Sequence, residues 1–277
     1  MTKLTYSHPG RRFMNRGGKE NISKSDFEAR ASREMKQNLA RPSEWTITQK
    51  LALTARMLAA EGHGSALAGQ ITARGEAPDS MWTATFGLGL DEIHASDFML
   101  VDDDLNVLEG DGMPNPSNRF HLWIYRARAD VTCVVHTHPP YVSALSMIGV
   151  PLIASHMDTA MFYEDCAWLP EWPGPPIGDD EGDLISTALG DKRSILLAHH
   201  GQLSAGETVE QAAVLAFHFE RAAKMQLLAM AAGEIKPLPP EQGRHAHDYR
   251  LKDAPLNATF HYYARQVLRR DGDGVLD

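Results

Sequence analysis

One stretch limits the possible folds of this chain more than any other: an apolar, β-branched run at Val131–Val135 that leads into two histidines. The composition of this run predicts a buried strand. Side chains two apart on a strand point to the same face, so we expect the imidazoles of His136 and His138 to lie side by side. Pro139 and Pro140 then end the strand, because proline has no N–H to donate. Two histidines held in this way begin a metal site, since neutral imidazole is a common ligand for zinc, copper and iron.

A second apolar run, Ser194–Ala198, leads into His199-His200-Gly201. It predicts a buried strand that again delivers histidine at its end. The glycine allows a sharp turn there, because it adopts backbone conformations that other residues avoid. One histidine of this second pair can complete a metal site with the first pair, since catalytic metal centres usually have three protein ligands and an open position. The alternative is that each histidine only caps its strand and bonds a backbone carbonyl.

The composition suits a soluble enzyme. With 277 residues, 43% of them hydrophobic, the chain can bury a large core, so we expect one main domain with extensions. A formal net charge of -9 argues against a nucleic-acid partner. Of the two cysteines, Cys133 lies inside the predicted strand, which favours a reducing compartment over a disulfide framework. We see neither a secretory signal nor an apolar run near the roughly 18–20 residues of a membrane helix, so we expect no membrane partner and a cytoplasmic location.

Helical and strand patterns divide the chain into three parts. Residues 1–44 are polar and predict an arm that is flexible or packs on a neighbour. Residues 45–235 predict the core, and residues 236–277 predict an extension that packs on the core or on a neighbouring subunit. Short hairpins dominate the first half, and the longest helix starts at Thr208, with Gln211 placed to complete a capping box. These patterns favour a layered α/β fold with a largely antiparallel sheet.

Other local predictions concern the surroundings of the strands. Ser117 is expected to cap the helix that precedes the first histidine pair. Pro151–Ala154 predicts a short strand, whereas residues 163–182, rich in proline, glycine and acids, predict a long ordered loop. We expect His245 and His247, near the C-terminus, to be solvated.

The motifs resemble those of the class II aldolase/adducin family over about residues 45–235. The most specific parts are Arg119–Tyr125, which leads into the first histidine pair, and Leu196–Gly201. The resemblance implies an α/β/α sandwich of three layers with a central, mainly antiparallel sheet, and makes residues 45–235 the catalytic domain. It also implies a homotetramer with active sites at subunit interfaces. The family's metal ligands, carried over to this chain, are His136, His138 and His200.

Departures from the family's aldolases are equally informative. Their catalytic glutamate stands two residues before the Arg-Phe-His segment, where this chain has Ser117, which we keep as a candidate catalytic residue. The positions that bind substrate phosphate fall at Asn115, Pro116, Gln70 and near Phe86. Proline can donate nothing and phenylalanine is apolar, whereas a phosphate dianion needs several donors or cations. We therefore expect a substrate without phosphate, contacted by Gln70, Asn115 and Phe86.

Several segments resemble one branch of the family, the iron-dependent decarboxylating oxygenases of aminocoumarin antibiotic pathways. The resemblance implies a prenylated 4-hydroxyphenylpyruvate, and then the mandelate it yields, as substrates for that branch. The matching segments are Asn118–Tyr125, His136–Pro140, Ser155–Asp158, Trp172–Gly174 and Leu189–Arg193.

With Ser117 in the glutamate position, another group must move protons. His156 and Asp158 fall about where the family places a tyrosine acid. Histidine is the commonest acid–base group near neutral pH, so we expect His156 to act and Asp158 to orient it, with a structural role as the alternative. His121, on the helix before the metal-bearing strand, is expected to tether that helix to a strand, with a role at the site as the alternative. Three residues of the predicted loop are candidates for lining the pocket, with core packing as the alternative: Glu164, Asp165 and Trp168.

Three functions remain open on this sequence. The first is a lyase that uses Zn or Fe(II) to cleave a C–C bond next to a carbonyl in a non-phosphorylated, possibly aromatic 2-oxo or 2-hydroxy acid. The second is a non-haem Fe(II) oxygenase that decarboxylates an aryl-pyruvate or mandelate oxidatively. The third is a non-catalytic scaffold like adducin, which an intact histidine triad disfavours. Imidazole suits zinc and iron alike, so the sequence does not identify the metal.

Overall fold

A single sheet organises the molecule. The computed structural model describes residues 23–39 and 45–277. In that part of the chain the sheet has eight strands: β1 Gln70–Arg74, β2 Met81–Ala84, β3 Phe98–Val101, β4 Val107–Glu109, β5 Cys133–Thr137, β6 Cys166–Leu169, β7 Ser194–Leu197 and β8 Gln202–Gly206. Their order is β4-β3-β2-β1-β5-β8-β7-β6, and every neighbouring pair is antiparallel except β6 with β7.

Helices cover both faces of the sheet. Over the same described residues they are α1 Lys24–Asn38, α2 Ile47–Ala60, α3 Arg119–Ala127, α4 Pro140–Met147, α5 Asp179–Leu189, α6 Val209–Met230, α7 Pro240–Arg250 and α8 Asp253–Asp271. Short 3-10 turns occupy Ala95–Asp97, Pro116–Asn118, Met157–Phe162 and Asp273–Leu276.

Alternation along β5 separates two cores. Cys133 and Val135 pack with α2, α6 and α8, whereas Val134 packs on the other face with α3 and α5. This is the period of two expected of a strand that is buried on both sides. The prediction of a three-layer α/β/α sandwich with a mainly antiparallel sheet is confirmed.

The longest helix starts where the sequence predicts. Thr208 Oγ1 accepts a hydrogen bond from the Gln211 N–H at 3.1 Å, which satisfies one of the free donors at the helix N-terminus. The other half of the predicted capping box differs, because Gln211 Oε1 accepts from the Glu207 N–H at 2.7 Å rather than from Thr208.

Two local predictions near the strands are wrong. Ser117 does not cap α3; its N–H donates to Asn115 Oδ1 at 3.0 Å, so Asn115 caps the 3-10 turn that precedes the helix, and Asn118 is the N-cap residue of α3. Pro151–Ala154 forms no strand. The Gln226 side chain of α6 accepts a hydrogen bond from the Ile153 N–H at 2.7 Å and donates one to the Pro151 carbonyl at 2.9 Å. These are backbone groups that a neighbouring strand would otherwise bond.

The prediction of a long loop at residues 163–182 is also wrong, because this segment contains β6 and the beginning of α5. Ala167 and Leu169 are buried against the second core, while Trp168 packs at the edge of the first. Proline and glycine are concentrated after the strand, at Pro170–Gly178, which is why composition averaged over the whole stretch concealed four residues of regular structure.

The C-terminal helices pack on the main body, and α1 packs on them. Phe260 of α8 is fully buried in the first core. His247 is not solvated as predicted: its Nε2 lies 3.0 Å from Asp165 Oδ2, and this bond raises the pKa of His247. His245 Nε2 lies 2.9 Å from Glu28 Oε2 of α1, although its side chain remains half exposed.

Much of the predicted arm, residues 1–22 and 40–44, lies outside the described residues, and the boundaries at 44/45 and 235/236 remain predictions. Within the described ranges, none of the helices combines the length and apolar character required to cross a membrane.

Candidate metal centre

Three imidazoles meet at one end of the sheet. The ring centroids of His136 and His138 lie 4.7 Å apart, those of His136 and His200 4.7 Å, and those of His138 and His200 4.5 Å. One ring nitrogen from each lies within 4.8 Å of the other two. The residues that the sequence analysis singled out as ligands are therefore the ones that the fold brings together.

Sheet pairing explains how residues more than sixty positions apart meet. β8 pairs with β5 on one side and with β7 on the other, so the turn between β7 and β8 lies next to the end of β5. The Leu197 N–H donates to the Gly201 carbonyl at 2.9 Å and closes that turn. His199 takes a φ of +55° and is exposed, so it is His200 that faces the first pair.

Position 201 has no room for a side chain, so it requires glycine. A Cβ at this position would lie 2.5 Å from the Thr137 carbonyl oxygen and 2.6 Å from His138 Cδ2. Both distances are far inside van der Waals contact, so any other residue displaces the end of β5 or the His138 ring.

The environment of the three rings keeps them neutral. Burial lowers the pKa of His136 well below its usual value, and the neighbouring histidines lower it further. Burial, followed by the effect of His138, lowers the pKa of His200 to about 4, and burial also lowers the pKa of His138. A neutral imidazole carries a lone pair, so all three are in the form that binds metal at neutral pH.

A backbone carbonyl orients the most buried ring. His136 Nδ1–H donates to the Gln202 carbonyl at 2.8 Å, which leaves the lone pair on Nε2. That Nε2 lies 2.9 Å from His138 Nε2. Two lone pairs this close repel each other unless a proton or a cation lies between them, so the arrangement suits a shared divalent ion.

The three predicted substrate contacts, Gln70, Phe86 and Asn115, line one small cavity. It adjoins the histidines, because Gln70 pairs with His136 across β1 and β5. No cationic side chain is found among its described lining residues. Gln70 Oε1 is buried and has no hydrogen-bond partner in the described part of the chain. Most of the remaining lining is apolar: Leu67, Ala68, Ile71, Ala84, Leu88, Leu90, Ile93 and Phe98.

The predicted acid–base residues occupy a different place. His156 and Asp158 lie at the 3-10 turn Met157–Phe162, where the His156 side chain is 53% exposed. Asp158 pairs with Arg221 of α6 at 2.9 Å, and this hydrogen bond holds the pKa of its carboxyl below the usual value. Among the described residues, none of the hydrogen bonds and ion pairs of this pair reaches the three histidines.

The remaining candidates have mixed outcomes. Ser117 is half-buried, in the turn before α3. His121 is confirmed as a tether between helix and sheet, because its Nδ1 lies 2.8 Å from Thr72 Oγ1 of β1. Asp165 is buried and bonds Arg193 and His247. The three candidates from the predicted loop do not line the cavity beside the histidines: Glu164, Asp165 and Trp168.

The residues that surround the ligands were not predicted from the sequence. Thr137 stands between His136 and His138, and its hydroxyl oxygen contacts both His63 and Gln202. Gln202 directly follows the His-His-Gly motif at the beginning of a strand, which was the only available sign. His63, at the end of α2, gave none.

Residues 49–227 match the family described as Class II Aldolase and Adducin N-terminal domain. The chain therefore belongs to the class II aldolase and adducin family, and the resemblance seen in its motifs is confirmed.

The chain is similar to proteins whose names describe different roles. The chain is 33% identical, over 64% of its length and 65% of the relative, to the 4-hydroxy-3-prenylphenylpyruvate oxygenase/4-hydroxy-3-prenylbenzoate synthase of Streptomyces roseochromogenus subsp. oscitans. It is 26% identical, over 78% of its length and 82% of the relative, to the meiotically up-regulated gene 14 protein of Schizosaccharomyces pombe. Its structure is similar to that of an L-fuculose 1-phosphate aldolase from Glaciozyma antarctica PI12, with a TM-score of 0.78 and 26% identity over 89% of this chain and 99% of that one.

Proposed function

We propose that this protein is a metal-dependent enzyme that cleaves a C–C bond next to a carbonyl in a non-phosphorylated 2-oxo or 2-hydroxy acid. The observation that carries the proposal is the convergence of three neutral imidazoles beside a cavity without cationic lining. A divalent ion, zinc or Fe(II), held by His136, His138 and His200 would act as a Lewis acid on the substrate's carbonyl and carboxylate and stabilise the charge that develops as the bond breaks.

The cavity supports a substrate that ends in an uncharged, apolar group. A phosphate dianion is stabilised by cations or by several converging donors. Here the side-chain oxygen of Asn115 accepts from the Ser117 N–H, which leaves its amide N–H₂ as a neutral donor, and the wall is otherwise largely aliphatic. Phe86, 42% exposed, offers an aromatic face at this cavity. Gln70 Oε1 is left to accept a hydrogen bond from a substrate hydroxyl, because a buried acceptor without a partner costs about 1–3 kcal/mol.

A direct test measures metal content and anaerobic turnover in one preparation. Protein purified without added metal should contain about one divalent ion per chain. Without oxygen it should cleave an aldol of pyruvate, that is a 4-hydroxy-2-oxo acid, at a higher kcat/KM than L-fuculose 1-phosphate, because this cleavage leaves an enolate that the ion would stabilise. A preference for the sugar phosphate contradicts the substrate assignment, and a protein that binds no ion contradicts the metal centre.

An Fe(II) oxygenase is the second candidate, favoured by the 33% identity to a prenylphenylpyruvate oxygenase. Non-haem iron oxygenases usually combine two histidines with one carboxylate, so a centre of three histidines departs from the usual pattern. The two candidates differ in their co-substrate. Oxygen uptake matched by carbon dioxide release from an aryl-pyruvate supports the oxygenase, whereas product formation under nitrogen supports the lyase. A protein that retains a bound ion but turns over neither substrate class is the result expected of a scaffold.

We further propose that the enzyme is a homotetramer in which His156 serves the metal centre of a neighbouring subunit, with Asp158 orienting it. The exposure of His156 and its separation from the contacts of the triad support this arrangement. A proton donor has to come within hydrogen-bond reach of the reacting atom, and a second subunit can bring an exposed imidazole there. Ser117, next to α3, remains a candidate for the same role within the subunit.

Mixing two inactive variants tests the shared site. His136→Ala and His156→Ala should each lose most activity, and tetramers assembled from an equal mixture should regain about a quarter of the wild-type rate, because one site in four then combines an intact triad with an intact neighbouring His156. A mixture of His136→Ala with His200→Ala is the control and should remain inactive. Hybrids that stay inactive would show that His156 does not act across an interface.

A further inference from the structure

Thr137 lies between the two histidines of β5 but faces the other side of the sheet. His136 packs against Phe120 of α3, with ring centroids 5.0 Å apart. Thr137 points to the opposite face, where it is fully buried near α2 and α6, as the alternation of a strand requires. A group bound to Thr137 therefore acts on the backbone between the two ligands without touching the ion.

Two buried side chains bond the Thr137 hydroxyl. Gln202 Nε2 donates to Thr137 Oγ1 at 2.8 Å, and His63 Nδ1 lies 2.8 Å from the same oxygen. The Gln202 amide is oriented by the Val135 carbonyl, which can only accept and lies 3.5 Å from Nε2, so that Oε1 accepts from the Ser204 hydroxyl at 2.8 Å. With Gln202 as the donor, the Thr137 O–H is free to donate to His63 Nδ1. Burial lowers the pKa of His63 to about 3, so its ring is a neutral acceptor.

Gln202 connects this hydrogen-bonded group to the ligands directly. Its backbone carbonyl accepts from His136 Nδ1–H at 2.8 Å, while its side chain bonds Thr137. One residue of β8 thus fixes both the ring of one ligand and the strand that carries the pair. His63 completes the set from the end of α2, although its own Nε2 is buried without a hydrogen-bond partner.

Close packing on both sides prevents the end of β5 from shifting. The Cβ of a residue replacing Gly69 would lie 3.1 Å from the His136 carbonyl oxygen and 3.4 Å from Thr137 Cγ2. Gly201 approaches the Thr137 carbonyl from the other neighbouring strand. If Thr137 lost its hydroxyl, the buried Gln202 Nε2 would lose its nearest acceptor and keep only the Val135 carbonyl at 3.5 Å, at a cost of about 1–3 kcal/mol.

We propose that Thr137 is a positioning residue of the metal centre, and that His63 and Gln202 act through it to hold His136 and His138 at the spacing that one ion needs. The inference rests on the proposed metal centre. Groups that orient metal ligands typically change metal affinity by about 10–100-fold when they are removed.

Metal affinity, measured without any assay of turnover, tests this role. The apo-protein is titrated with Co(II), whose visible absorption reports both affinity and coordination geometry, and with zinc against a chelator. Thr137→Val keeps the shape and removes the hydroxyl, so we expect about 10–100-fold weaker binding and an altered Co(II) spectrum. Thr137→Ser keeps the hydroxyl and should restore the affinity to near the wild-type value.

A matched control separates positioning from general destabilisation. Thr54 is another fully buried threonine, in α2, and its hydroxyl donates only to the Lys50 carbonyl of its own helix. Thr54→Val should bind Co(II) like the wild type. If Thr137→Val does not fold, His63→Leu removes the acceptor of the Thr137 hydroxyl and should weaken binding in the same direction.

The possible results are distinguishable. Folded Thr137→Val protein, or His63→Leu protein in its place, that binds Co(II) like the wild type with an unchanged spectrum overturns the positioning role while leaving the metal centre intact. Wild-type protein that binds neither ion overturns the metal centre itself, and the positioning role with it. Weaker binding restored by Thr137→Ser supports the role of the hydroxyl.

Discussion

Replacing His200 with alanine should abolish tight metal binding and lower kcat/KM by about 10³-fold or more, because a Lewis acid contributes several kcal/mol to the transition state and each 1.36 kcal/mol is a factor of ten. The variant leaves two imidazoles, His136 and His138, which share the end of one strand. Two ligands from one strand cannot enclose an ion, so the loss should appear in metal content as well as in rate.

The neighbouring histidine provides the control for this variant. His199 precedes His200 in the same turn but is exposed, and its φ of +55° is a conformation that asparagine tolerates. His199→Asn should therefore retain the ion. Metal content that falls in His199→Asn and not in His200→Ala would mean that the turn has a different conformation from the one described.

Replacing Gly201 with alanine should have the second largest effect, on stability and metal affinity together. The new methyl group would lie 2.5 Å from the Thr137 carbonyl oxygen, and neither neighbouring strand can move without breaking its ladder. Overpacking of this kind costs about 3 kcal/mol. For a domain of this size we expect a decrease in Tm of about 6–12 °C, measured on the apo-protein. Displacement of His138, whose Cδ2 would lie 2.6 Å from the same methyl group, should also weaken metal binding.

Gly64 is the matched control, because a Cβ there meets nothing within 4 Å and its φ is not in the left-handed region. Gly64→Ala should change the free energy of unfolding by no more than about 0.5 kcal/mol. Equal Tm values for Gly201→Ala and the wild type would contradict the close approach of β5 to the β7–β8 turn.

The sequence was informative where the signal is local. The apolar runs before both histidine pairs predicted buried strands because a short continuous apolar run can be recognised without its partners, and β5 and β7 lie where expected. Residue spacing alone left His199 and His200 equivalent. The structure distinguishes them through the φ of His199, which is imposed by the hydrogen bond between Leu197 and Gly201 that closes the turn.

Prediction failed where the decisive partner is distant in the chain. Gln226 replaces a strand partner for Pro151–Ala154 from about seventy residues away, and no periodicity in the four residues shows it. Asp165 looked like a lining residue because acids in a Pro-Gly stretch are usually exposed. It is buried because Arg193, just before β7, and His247 of α7 both bond it. Composition within a window carries no information about such partners.

With an ion at the proposed centre, the position of β8 between β5 and β7 would make metal binding a thermodynamic property of the whole sheet. An unfolded chain scatters the three imidazoles, so it offers the ion no site of comparable affinity. Binding only to the native chain raises the free energy of unfolding by mass action, about 4 kcal/mol at a thousandfold excess of ion over Kd. A chelator should therefore lower the free energy of unfolding as well as the activity, because β5, β7 and β8, whose pairing brings the ligands together, would lose the stabilisation that the bound ion provides.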